Sequence, residues 1–189
     1  FSSTANADLT KFFKRMGCEA STNAYSITGS TPLVDSLLSV RYALYSEYIP
    51  NTDLVNYIQE SGGTYLYENL YTLPLGFVLP YDLADNWQYQ MENPAEVQND
   101  LCLLLGTDDV LVPVETEVSG SGCTFTADMA GEYYVYIQNK KVKNVKASLP
   151  SGEKNFSNVD RGYLLEMGNL SEGSRITLTP GESGETLTA

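Results

Sequence analysis

From Val110 to the C-terminus, β-prone residues come in short runs: VLVPVETEV, CTFTAD, EYYVYIQ, VKNVKASL, YLLEMGNL and RITLTP. Turn signals separate them at SGSG, AGE, NKK, PSGEK and SEGS. Short strands punctuated at regular intervals indicate an antiparallel sandwich. Residues 1–110 have another texture, in which helical and strand-like stretches mix. The expectation is an α+β chain. A mixed α/β subdomain covers 1–110, and an antiparallel β-sandwich subdomain, jelly-roll-like, covers 111–189. No internal repeat or low-complexity tract is present.

In the first part, Leu9, Phe12, Phe13 and Met16 recur at helical spacing, with Asn6 or Asp8 as cap and Gly17 as stop. The polar STNAYSITGST that follows reads as a loop. Thr31 followed by Pro32 is a strong helix start, and Leu33, Val34, Leu37 and Leu38 give that helix its apolar stripe. Val40 to Tyr45 then reads as a strand, while TDLVNYIQE is ambiguous up to the Gly62-Gly63 turn. In YLYENLYTLPLGFVLP the expectation is a strand pair, the second strand being Gly76 to Leu79 between Pro74 and Pro80. Asn93-Pro94 opens a helix that buries Val97, Leu101, Leu104 and Leu105 and stops at Gly106.

Composition narrows the chemistry. Eleven Lys and Arg stand against 24 Asp and Glu, a formal net charge of −13. Nucleic acids and anionic membrane surfaces need clustered cations, so neither is an expected partner. There is no histidine. Ser-His-Asp and Cys-His triads, His-ligated zinc and imidazole proton transfer are all excluded with it. Cys18, Cys102 and Cys123 form no CxxC motif, and their odd number argues against a disulfide framework. Cys102, in the apolar run LCLLLG, reads as a buried thiol. No stretch of 18 apolar residues suggests a membrane span. The chain begins at FSSTANADL without Met and stops at GESGETLTA, so both ends read as boundaries within a longer protein.

Three groups of residues are candidates for chemistry. Carboxylates pair at Asp82 and Asp85, at Asp108 and Asp109, and at Glu115 and Glu117. Such pairs are ordinarily solvated surface, and none has a calcium-loop pattern, so no catalytic residue, metal or cofactor is expected. Tyrosine is abundant, and a flat ring can cover the apolar face of a sugar while its hydroxyl stays wet. The carbohydrate-binding candidates are Tyr65, Tyr67, Trp87, Tyr89, Tyr134 and Tyr136, although strands favour half-buried aromatics in any case. Lys140, Lys141, Lys143, Lys146 and Lys154 read as one basic hairpin in a chain otherwise poor in cations. The first three are candidates for contact with a phosphate polymer, against the plainer reading of a charged sheet edge.

The order of several motifs then resembles the extracytoplasmic domain of YfhO-type bacterial membrane proteins. A leucine-rich helix leads into a V-R-Y strand at Leu37 to Tyr42, and Y-E-N … L-P … F-V follows at Tyr67 to Val78. P-x-x-x-Q-N stands at Pro94 to Asn99 and G-N-L-x-x-G at Gly168 to Gly173. The chain departs from the family at Leu75-Gly76, where an Arg often follows the L-P pair, so no role for that Arg carries over. The resemblance implies a soluble outer domain of a multi-pass protein similar to lipid-linked-sugar-dependent glycosyltransferases. Such proteins act on envelope polymers such as teichoic acid, with their catalytic acids in the membrane-embedded remainder. The expected role is accessory and non-catalytic, on the extracytoplasmic face of the membrane, with that remainder and an envelope glycopolymer as partners. The alternative is a free-standing carbohydrate-binding or adhesive surface module.

Overall fold

Helix α1 (Ala7–Arg15) starts where the Asn6 side chain accepts from the backbone N–H groups of Asp8 and Leu9, at 2.9 and 3.0 Å. It ends at Gly17, whose φ of +85° only glycine adopts without strain. The computed structural model describes residues 5–182 and 186–188. A small hairpin, β1 (Ala20–Ser21) and β2 (Ala24–Tyr25), then stands where the sequence reads as loop. Phe13 stacks on Tyr25 at 4.5 Å, which gives these few residues a surface to pack on.

The chain next builds a separate compact unit over Ser30–Asp85. Helix α2 (Pro32–Leu37) is capped by the Thr31 hydroxyl and begins on proline, as its sequence predicts. Strands β3 (Tyr42–Tyr45), β4 (Val55–Ser61) and β5 (Thr64–Asn69) form an antiparallel sheet in the order β3-β5-β4. The ambiguous TDLVNYIQE is therefore a strand, paired through the Gly62-Gly63 turn with β5. The core of the unit is Tyr67, fully buried, whose hydroxyl both accepts from Ile49 N–H and donates to Ile49 C=O at 2.7 Å. Tyr45 and Tyr57 meet its ring edge-on. The expected second strand at Gly76 to Leu79 does not form: residues 72–80 are irregular, and Leu75 and Val78 are 95% and 98% exposed. Among the described residues no strand pairs with this segment, and Pro74 and Pro80 remove two backbone donors.

Helix α3 (Leu83–Asn86) ends this excursion, and the chain returns with α4 (Pro94–Leu104). Residues 1–29 and 86–189 together make the other compact unit, a division that does not follow the change of texture at Val110. The reason is a set of long-range bonds. The buried Gln98 amide donates to Met16 C=O at 2.8 Å, and Leu164 N–H donates to Gly17 C=O at 2.8 Å. A Cβ on Gly17 would lie 2.7 Å from the Leu164 side chain and 3.0 Å from Pro94, so only glycine permits the approach. On α4, Val97 and Leu101 are buried as expected, while Leu104 and Leu105 are only half-buried.

The remaining strands are β6 (Glu117–Ser119), β7 (Gly122–Thr126), β8 (Gly131–Val135), β9 (Val145–Leu149), β10 (Gly152–Phe156), β11 (Leu165–Leu170) and β12 (Arg175–Pro180). Five pair antiparallel in the order β10-β9-β12-β7-β6, and β11 pairs with β8. Both sheets contribute to one core, which includes Phe125, Val135, Ala147, Leu165, Met167, Ile176 and Leu178. The fold is α+β, with a C-terminal part that is mostly antiparallel sheet. Strand β10 falls where the sequence signals a turn, because Glu153, Lys154 and Asn155 are polar and exposed and only Phe156 packs on the core. Of VLVPVETEV, only the last residues pair, as β6.

Candidate functional site

Lys14 and Arg15 occupy the last turn of α1, where cations complement the carbonyl end of the helix dipole. The Arg15 guanidinium reaches the segment before α4, donating to Gln90 C=O and Met91 C=O at 3.0 Å and to Gln90 Oε1 at 3.2 Å. This holds Glu92 beside the helix end. From the other side, β8 and the two residues after it alternate: Tyr133, Val135 and Ile137 are buried, while Tyr134 and Tyr136 are half-buried. The Tyr136 hydroxyl donates to Glu92 C=O at 2.9 Å and accepts from Lys140 Nζ at 2.6 Å. Lys140 Nζ also lies 4.1 Å from the centre of the Tyr136 ring. A 3-10 turn, Val159–Arg161, closes the site with Asp160, Arg161 and Gly162.

These residues line one cleft of roughly 280 Å³: Lys14, Arg15, Glu92, Tyr136, Lys140, Asp160, Arg161 and Gly162. Four of the eleven cations of an acidic chain converge there against two carboxylates. Arg161 is spoken for, since it pairs with Glu19 at 2.7 Å. Burial first and the Glu19 charge second push the nearby Tyr163 phenol up to about 12, Arg161 opposing. Tyr163 therefore stays neutral and donates to Ser157 C=O at 2.8 Å. Arg15 and Lys140 donate to neutral carbonyl, amide and phenol oxygens. Among the described residues, no carboxylate pairs with Lys14, Arg15 or Lys140. Gly162 keeps the wall low, because a Cβ there would sit 2.6 Å from Lys140 Nζ. The chemistry open to such a cleft is charge-assisted hydrogen bonding to an oxyanion.

The sequence candidates have varied surroundings. Tyr67 is fully buried and has no ring face for a sugar. Tyr65 is half-buried and meets Tyr48 edge-on. Trp87 donates to Val97 C=O at 2.9 Å and packs on Tyr89, whose ring lies under Lys11. Tyr134 is half-buried beside Glu166, and Tyr136 alone of the six lines the cleft. The five lysines are not one hairpin. Lys140, Lys141 and Lys143 lie in the connection from β8 to β9, where Val142 turns inward and Lys141 and Lys143 outward. Lys146 pairs with Glu153 across β9 and β10, and Lys154 donates to the carbonyls of Glu166 and Met167. Asp82, Asp85, Asp108, Asp109, Glu115 and Glu117 are all exposed. Lys14, Arg15 and Arg161 carry no local signal of a shared site, because only the fold brings them together.

The motif residues have structural roles. Glu68 pairs with Arg41 at 3.3 Å, and Asn69 Nδ2 donates to Val40 C=O at 3.0 Å. Asn99 accepts from the backbone N–H groups of Val110 and Leu111 and donates to Leu111 C=O, which fixes the exit from α4. Among the described residues, no helix is long and apolar enough to cross a membrane.

Comparison with known families matches residues 1–111 to the family described as bacterial membrane protein YfhO. The G-N-L-x-x-G turn at Gly168 to Gly173 lies beyond the matched residues. Neither the curated proteins nor the solved structures contain a match to the chain. With more than half its length matched, the chain belongs to the YfhO family of bacterial membrane proteins.

Proposed function

We propose that this chain is the extracytoplasmic, accessory domain of a multi-pass YfhO protein that resembles lipid-linked-sugar-dependent glycosyltransferases. In this reading its cleft holds a phosphate-bearing envelope polymer such as teichoic acid, while the membrane-embedded remainder carries the transfer chemistry. The observation that supports it is the meeting of Lys14, Arg15 and Lys140, with no carboxylate paired to them among the described residues, in a chain of net charge −13. A phosphate repels the acidic surface on average, but at physiological salt that field is screened beyond roughly 8 Å. A local cationic cleft then offers short-range, charge-assisted bonds. Tyr136 supplies a ring edge beside the cations, on which a sugar or glycerol unit of the polymer can rest.

The test is titration of the chain with a poly(glycerol phosphate) teichoic acid at low salt. The expected result is weak, salt-sensitive binding that Lys14→Glu with Lys140→Glu abolishes and Lys141→Glu with Lys143→Glu leaves largely intact. Absence of binding, or loss only in the second pair, would overturn the assignment of the cleft. The side of the membrane has its own test: a Lys141→Cys variant of the membrane-bound protein should react with an impermeant thiol reagent in intact cells.

A further inference from the structure

Residues 70–81 read LYTLPLGFVLPY, twelve residues without a charge. They run from the end of β5 toward α3, and residues 72–80 join no strand or helix. Leu75, Val78 and Tyr81 are almost completely exposed, Leu70 and Tyr71 are a little over half exposed, and Phe77 and Leu79 about two-fifths. Single exposed apolar side chains are ordinary, but a contiguous run of this kind marks an interaction surface.

We infer that this loop seats in the interfacial layer of a lipid bilayer. The family match, to membrane proteins, takes in the whole loop. Tyr71 and Tyr81 bracket Leu75 to Leu79, which is apolar throughout and aliphatic except for Phe77 and Gly76. Tyrosine rings settle at headgroup depth, and aliphatic side chains settle at the acyl boundary below. Irregular backbone cannot enter hydrocarbon, where its N–H and C=O groups go unpaired. A shallow seat leaves those groups to water and headgroups, and Pro74 and Pro80 remove two donors from the demand.

Charge decides what kind of lipid surface suits it. The unit over Ser30–Asp85 carries one cation, Arg41, against seven carboxylates, and Arg41 is already paired with Glu68. Attraction to anionic headgroups therefore cannot drive the contact, and apolar insertion must. Zwitterionic lipid is favoured, and anionic lipid repels the flanking Asp82 and Asp85. This inference involves a different unit and different residues from the cleft, so each can fail without the other.

The test is co-flotation of the chain with phosphatidylcholine vesicles, compared with the variant Leu75→Asp with Val78→Asp. Both side chains face solvent, so the substitutions disturb no packing. The chain is expected to float, and the variant to lose about tenfold or more of its partitioning. Adding phosphatidylglycerol at low salt should weaken flotation, and salt should restore it. A Val78→Cys variant carrying an environment-sensitive fluorophore should shift to the blue on vesicle addition. Selective labelling is feasible because the three native thiols are buried. Absence of both flotation and shift would overturn the inference, as would flotation that the aspartates leave unchanged. Self-association that the aspartates abolish, without vesicle binding, would instead assign the loop to a second copy of the chain and overturn it too.

Discussion

Lys140 Nζ lies 2.6 Å from the Tyr136 hydroxyl, which in turn donates to Glu92 C=O at 2.9 Å. The phenol thus joins the β8–β9 connection to the segment before α4 and fixes where the ammonium stands. Tyr136→Phe removes both bonds. They are exposed, so stability should fall by no more than about 0.5–1.5 kcal/mol. Polymer binding should weaken less than in Lys140→Glu, because the charge remains. Thermal unfolding and the polymer titration check the two effects, and binding unchanged by Lys140→Glu but lost in Tyr136→Phe would contradict this arrangement.

Gln98 is buried, and its amide satisfies Met16 C=O just past the end of α1. The last carbonyls of a helix have no partner within it. Gln98→Leu retains the volume but leaves that oxygen unpaired, at a cost of about 1–3 kcal/mol. Chemical denaturation measures it, and a loss below about 0.5 kcal/mol would mean that Met16 C=O finds another partner.

Asp35 on α2 has a buried Oδ1 without a hydrogen-bond partner among the described residues. Burial raises its carboxyl above the usual range, while a hydrogen bond with Ser30 opposes the shift. The folded-state value lies above the unfolded one, so the charged form penalises the fold. The penalty is complete above the raised value and fades as pH falls through it toward the unfolded one, near 3.9. Glu132 has the same sign, through burial first and the Glu166 charge second, with Asn169 and Lys154 opposing. Asp35→Asn should therefore raise Tm at pH 7, with the gain shrinking toward pH 4. A lower Tm at pH 7 would contradict it.

Cys18, Cys102 and Cys123 are free and buried. Burial pushes the thiols of Cys102 and Cys123 up, the Thr107 side chain partly opposing this at Cys102. Both effects suppress the thiolate that reacts. A thiol reagent at neutral pH should modify the native chain slowly and all three cysteines at once in denaturant. Rapid labelling of Cys102 in the native chain would show that α4 opens there.

Helices α1, α2 and α4 were legible because their starts carry chemistry: Asn6, Thr31-Pro32 and Asn93-Pro94 each cap where predicted, whereas the four-residue α3 was not read from the sequence. Alternation marked β8 and β9, and the order of motifs marked the family. Strand β10 was not legible, since an edge strand with one apolar residue, Phe156, has no apolar period to show. Gly76 to Leu79 misled in the opposite direction, because apolar content alone cannot supply a pairing partner. The association of residues 1–29 with 86–189 depends on Gln98 meeting Met16 and Leu164 meeting Gly17, contacts without any local signature. At the cleft, Tyr136 and Lys140 stood out from the sequence. Lys14, Arg15 and Arg161 come from distant segments and did not.

The central claim is that the cleft takes the phosphates of an envelope polymer. Backbone amide chemical shifts of the isotope-labelled chain, followed as poly(glycerol phosphate) is added at low salt, test it most directly. The account predicts that the shifts concentrate at Lys14, Arg15, Tyr136, Lys140 and Gly162, and that they vanish when Lys14 and Lys140 are changed to Glu. Shifts confined to Lys141, Lys143 and β10, or no shifts at all, would contradict it.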